Sequence, residues 1–295
     1  VPNTSNSQIF IIWIITVLAT ISVVTGVDKG IKILSQLNFG FGMILLLYLL
    51  FVGDTFFVFN LFVETFGFHF QTLMGTFTDT DAFEQAGFEG DSNPRAWMSW
   101  WTVFYWGWWI AWSPFVGTFI AQISRGYTVR VFILGNMLVP ALVTAIWTTI
   151  MGGLGVKEEY HALERNIGNG CYYNYNYNGT ITDGTYTRLS CANVEDQLFL
   201  LIESFPLSQF ISIITIVAII GYFVTSSDSA SYVIDLITAN GIEEPPKMQR
   251  IFWALTEGAV ATALLAVGGE DALQALQTVS IAAALPFTFL LIIMA

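Results

Sequence analysis

Long apolar runs separated by short polar connections recur from one end of this 295-residue chain to the other. Seven stretches read as membrane spans: about 8–25, 37–59, 97–121, 131–152, 207–237, 249–267 and 273–295. A helix of about 20 apolar residues crosses the hydrocarbon layer at roughly 1.5 Å per residue. Closed β-barrels instead need short alternating strands, and none is visible. Only 11% of residues are charged, against about 25% in soluble domains. The expected fold is therefore an all-α polytopic membrane protein.

Basic residues set the expected orientation, because cytoplasmic connections collect Lys and Arg. Lys29 and Lys32, then Arg125 and Arg130, then Lys247 and Arg250 occupy three short connections that alternate along the chain. Val1 is expected outside, with the seventh span running inward. The net charge of −12 is carried mostly by two polar stretches, Asp79–Asp91 and Lys157–Asp196, and describes loop solvation rather than a partner. No basic stripe is present that could hold nucleic acid. The segment NLFVETFGFHFQTLMGTF reads as an amphipathic helix on the outer surface, with His69 solvated or interfacial. Cys171 and Cys191 lie in the long outward loop 153–197, and two readings are open: a disulfide, which would contribute about 3 kcal/mol, or two reduced structural thiols. Both chain ends read as cuts through a larger protein, and Asn3 and Asn178 begin weak glycosylation sequons.

Tryptophan is concentrated between Trp97 and Trp112, in WMSWWTVFYWGWWIAW. On a helix, Trp97, Trp101, Phe104, Tyr105, Trp108 and Trp112 share one face, with Trp109 at its flank and Trp106 turned away. Indole faces attract cations better than any other side chain. Two readings stand level: an aromatic packing face or interfacial belt, and a cage for a quaternary ammonium. Pro114 and Gly117 follow, and a helix broken there would free polar backbone beside Trp108, Trp109 and Trp112.

The fifth span carries TSSDSAS, residues 225–231, a dense set of hydroxyls inside an apolar run. Such hydroxyls commonly bond back to their own helix. The sharper reading is a monovalent cation at Thr225 and Ser226, with further ligands from another helix. Asp228 either tunes that site or hydrogen-bonds locally. Glu257 falls near the middle of the sixth span, and an intramembrane carboxylate is a functional candidate by default. Asp54 and Asp235 read as solvated span ends. There is no Walker loop, no GxSxG and no closely spaced cysteine pair, so neither an enzyme nor a cofactor is expected.

The run WTVFYWGWWIAWSPFVGTFIAQISRG, Trp101 to Gly126, resembles the signature of the betaine/choline/carnitine transporter family. TGVDKGIKILSQLN (25–38), TSSDSAS, LLAVGG and LPF agree with it, so the likeness spans essentially the whole chain. It implies a partial five-plus-five inverted-repeat core of the LeuT-like kind. Residues 1–59 would be the last two helices of the first repeat and 60–96 an extracellular amphipathic linker. Residues 97–295 would be the second repeat, with five spans. Upstream helices would supply the rest of the substrate site.

Residue by residue, the resemblance implies substrate contacts at Trp101, Tyr105, Trp108, Trp109 and Trp112, and a sodium ion at Thr225 and Ser226. The family's sodium-independent exchangers carry other residues at Asn38, Val116 and Ser226. The departures are Gln122 and Tyr127, where the family commonly reads ARISRGRT. The implied activity is import of a quaternary-ammonium osmolyte, glycine betaine or choline, by sodium symport, in a homotrimer in a prokaryotic plasma membrane. Sodium-independent carnitine/precursor exchange, proton-coupled choline transport and betaine sensing without transport are the alternatives.

Overall fold

The computed structural model describes residues 5–25, 32–80, 82, 98–168, 171, 180–242 and 246–294, with backbone alone at 25, 99, 100 and 269–274. Trp97, the sequon residues Asn3 and Asn178 and most of 81–97 lie outside the described residues. The architecture is all-helical, and an isolated bridge between Thr182 and Thr187 is the extent of β pairing among the described residues. Six helical stretches are long and apolar enough to cross a membrane: Ser5–Val24, Lys32–Val52, Val129–Glu164, Ser208–Thr238, Lys247–Gly268 and Ala275–Met294. The chain is a multi-pass membrane protein.

Three expected boundaries are corrected. The second span ends early: α1 (Ser5–Thr25) is followed by α2 (Lys32–Val52), and α3 (Thr55–Thr78) begins after a break at Gly53–Asp54. Asp54 makes that break by accepting from the Phe57 amide at 3.0 Å, capping α3. The third expected span, 97–121, is instead two pieces, a π-helical Met98–Trp106 and α4 (Gly107–Ile123), so no single α-helix there reaches spanning length. The sixth and seventh runs also differ from expectation: α9 (Lys247–Ala282) continues through Gly268–Asp271, where a loop was expected, and α10 (Ala284–Met294) follows at once. Between these, α5 (Val129–Ile133), a π-helical Leu134–Leu138 and α6 (Val139–Glu164) run in succession. A short α7 (Gln197–Glu203) then precedes α8 (Ser208–Thr238).

The chain divides into two compact units. One comprises Gln36–Met74 and Tyr127–Gly221. Its core joins Leu45, Leu46 and Leu49 of α2 to Val58 of α3, Ile150 and Leu154 of α6, and Leu201 and Ile202 of α7. Close approach depends on small residues: a Cβ on Gly153 would collide with Leu61, and one on Gly221 with the Asn38 amide. Asn38 is 2% exposed, so its side chain is locked against the α8 backbone.

The loop after α6 belongs to this unit and is tied down by polar contacts. Glu158 accepts from the Thr187 amide and the Ser204 hydroxyl, both at 2.9 Å. Glu159 pairs with Arg188 at 2.5 Å and accepts from Ser190 Oγ at 2.6 Å. Cys171 and Cys191 form a disulfide, with Cα atoms 5.6 Å apart. Lys157 Nζ meets Asp54 at 2.6 Å and lies 5.0 Å from the centre of the Phe57 ring. That ammonium, first through its hydrogen bond, holds the Asp54 carboxyl below the usual range.

The second unit comprises Val1–Ser35, Gly75–Gly126 and Tyr222–Ala295. Here α1 lies along α9, with Gly258 directly against the Thr16 side chain. The start of α4 is seated on α9, since a Cβ on Gly107 would come within 2.8 Å of Ile281. After α4 the chain turns at Gly126, whose φ of +86° only glycine adopts easily.

Candidate functional site

All five aromatic residues expected to contact substrate fall in the second unit, on the π-helical segment and the first turns of α4. Their rings form two ladders. Trp101 meets Tyr105 at 5.9 Å, and Tyr105 meets Trp109 at 6.2 Å. Alongside, Phe104 stacks on Trp108 at 5.7 Å, Trp108 lies 5.9 Å from Trp112, and Trp112 lies 6.2 Å from Phe115. Trp109 is therefore a member of a ladder rather than a flank. These separations match the ordinary spacing of interacting aromatic pairs, so each ring orients the next. Trp109 remains 54% and Trp112 41% exposed, leaving ring surface available to a ligand.

Of the two readings open at Pro114, a broken helix and a simple kink, the break does not occur. The helix α4 runs unbroken through Pro114 to Ile123. Proline leaves the carbonyl four residues earlier without its usual donor. The Ser113 hydroxyl supplies the replacement, donating to Ile110 O at 2.7 Å. The irregular backbone sits instead upstream of the tryptophans, in the π-helix 98–106, a form that recurs at functional sites.

Thr225 and Ser226, the expected cation ligands, both donate to the same carbonyl, Tyr222 O, at 3.0 and 2.9 Å. Their hydrogens are thereby turned inward along the helix, while oxygen lone pairs remain to accept. Ser229 bonds back to Thr225 O at 2.8 Å.

A second polar group lies one turn further along α8. Ser227 and Ser231 each donate to Glu257 at 2.7 Å, one to each carboxylate oxygen. Spacing alone carried the signal, since 227 and 231 are four apart and share a helix face with 228 and 235. Asp228 and Asp235 are 0% exposed, and neither carboxylate completes a hydrogen bond among the described residues. Asp228 adjoins the Ser22 hydroxyl, and the charge of Glu257 acts on it. Asp235 is not the solvated span end expected: it is fully buried, and the charge of Arg250 on α9 acts on it. Gln249 and Trp253 of α9 both donate to Thr238, at 2.7 and 3.2 Å, closing the helix pair over that end.

The sequence pattern described as BCCT, betaine/carnitine/choline family transporter, matches residues 1–295. The chain belongs to the betaine/carnitine/choline transporter family. Among members of that family, glycine betaine transporter 1 of Vibrio parahaemolyticus is 39% identical over 292 residues, 97% of this chain and 49% of its own length. The ectoine/glycine betaine/proline transporter of Corynebacterium glutamicum is 37% identical over 286 residues, 97% of this chain and 42% of its own. A glycine betaine transporter of Acinetobacter baylyi is 35% identical over 292 residues, 98% of this chain and 39% of its own. The chain thus spans about half the length, or less, of these relatives. Proteins of this family are transporters, not enzymes.

Proposed function

We propose that this chain is part of a secondary transporter that imports a quaternary-ammonium solute of the glycine betaine or choline type across a prokaryotic plasma membrane. The paired aromatic ladders, Trp101–Tyr105–Trp109 and Phe104–Trp108–Trp112, carry this reading. A trimethylammonium head has no N–H donor, so hydrogen bonds cannot hold it, and ring faces must replace its hydration shell. Each such contact is worth up to about 2 kcal/mol once desolvated. The names of the relatives support the same substrate class.

Sodium is the coupling ion in this reading, held by the lone pairs of Thr225 and Ser226 with ligands from a helix outside this chain. Bound sodium biases one conformation, and rocking of one inverted repeat against the other alternates access. A homotrimer is the proposed assembly.

The test is uptake of labelled glycine betaine by proteoliposomes holding the full-length protein, with and without a sodium gradient. Trp108→Ala is expected to reduce uptake at least tenfold, and Thr225→Ala to abolish the response to sodium. Uptake indifferent to sodium would move the coupling to protons or exchange. Absence of betaine uptake, with no competition by choline or carnitine, would sink the substrate assignment.

A further inference from the structure

The unit formed by Gln36–Met74 and Tyr127–Gly221 carries a cleft of its own, about 610 Å³ in volume. Small-molecule sites generally run from about 300 to 1,000 Å³. Asp54 and Thr55 at the α2–α3 break, Lys157 and Glu158 on α6, and Tyr186 and Phe205 line it. Its walls are cross-tied. Lys157 Nζ meets Asp54 at 2.6 Å, and Glu158 Oε1 accepts from the Thr187 amide and the Ser204 hydroxyl, both at 2.9 Å. The Tyr186 ring lies 4.9 Å from the His161 ring and 4.5 Å from the Arg165 guanidinium. A cleft held this way is formed before any ligand arrives, which lowers the cost of binding.

Glu158 is the asymmetric member. Both of its donors fall on Oε1, and Oε2 accepts no hydrogen bond among the described residues. The residue is 8% exposed, yet Oε2 is not sealed off, so the opening it meets is the cleft. A carboxylate oxygen so placed calls for a charged N–H donor. Lys157 offers the opposite chemistry in the same cleft, since its ammonium has N–H groups beyond the one given to Asp54. We propose that this cleft binds a zwitterion bearing both N–H groups and a carboxylate, an amino or imino acid, with its ammonium on Glu158 and its carboxylate on Lys157. Leu154 and Phe205 give the carbon skeleton an apolar wall. A simple anion would face Asp54 and Glu158, and a simple cation would face Lys157. A metal ion is a poorer fit, since no three His, Cys, Asp or Glu side chains converge on one point among the described residues. A quaternary ammonium has no N–H to give Glu158, so the cleft rejects the solute that the aromatic ladders suit.

The test is binding of labelled L-proline to the full-length protein in phosphatidylcholine nanodiscs, which hold no primary-amine lipid, with saturating glycine betaine throughout. Saturable proline binding is expected to persist under betaine and to weaken about tenfold in Glu158→Gln. N,N-dimethylproline, which keeps the ring and carboxylate but has no N–H, is expected not to displace it. Should Glu158→Gln fail to reach the membrane fraction, Lys157→Gln decides the matter, with a loss of about fivefold expected. Absence of saturable binding under betaine would overturn the proposal. So would an unchanged affinity in either variant, or displacement by N,N-dimethylproline. The cleft binds its ligand whether or not the protein moves betaine, so this reading and the proposed function fail separately.

Discussion

The loop after α6 and the middle of α8 treat buried charge in opposite ways. Against the loop, Glu158 and Glu159 at the end of α6 each meet two donor residues, and in the loop the exposed Asp183 accepts from the Thr185 and Tyr186 amides at 2.8 Å each. On α8, Asp228 and Asp235 are more deeply buried, yet complete no hydrogen bond among the described residues. Satisfied carboxylates fix a shape. Unsatisfied ones cost stability, and rule-breaking of this kind is expected where a side chain has other work. The loop is tied down by satisfied pairs, whereas α8 keeps two carboxyls out of water.

Opposite responses to neutralisation follow. The largest effect is expected from Glu159→Ala, which leaves the largely buried Arg188 guanidinium without its carboxylate. Removing one member of such a pair costs about 3 kcal/mol, visible as a lowered thermal midpoint in detergent. Cys191→Ser comes next: releasing a 20-residue separation is worth about 2–3 kcal/mol, and the loss should match that produced by reductant on the parent protein. Asp228→Asn should move the midpoint by less than about 0.5 kcal/mol or raise it, because a buried acid without partners contributes little to lose. A large destabilisation there would erase the contrast between the two regions.

The smallest effect concerns Asp183 and pH. The amides of Tyr186 and Thr185, and then Arg165, hold its carboxyl down at about 2, from an ordinary 3.8. A depressed value in the folded state means that its contribution is complete above pH 3.8 and disappears as pH falls through about 2. Hydrogen-exchange protection of the Thr185 and Tyr186 amides should therefore decline in that window and stay flat above it.

Much of this was legible in the sequence because apolar length is a strong signal, and the aromatic residues were identifiable from composition alone. The errors have local causes. The apolar run TFFVFN after Asp54 hid the break that Asp54 itself caps. The run GGED suggested a loop, but α9 passes through 268–271, because a glycine costs a helix only about 1 kcal/mol when packing continues on either side. A π-helix has no compositional mark, so attention fell on Pro114, with its choice of break or kink, rather than upstream. Ser113 shows why proline misled: one hydroxyl in place leaves no orphaned carbonyl. Burial of Asp235 depended on the packing of α9 over that end of α8, where Gln249 and Trp253 reach Thr238, which one segment read by itself does not reveal.

The Cys171–Cys191 bridge turns part of the loop into a covalent ring. A protease that cuts between those two residues leaves both products tied through sulfur, so the nicked chain travels as one band on a non-reducing gel and separates only after reduction. Cutting just outside the ring releases two fragments at once. The polypeptide can thus lose its linear continuity within that stretch and still remain a single molecule.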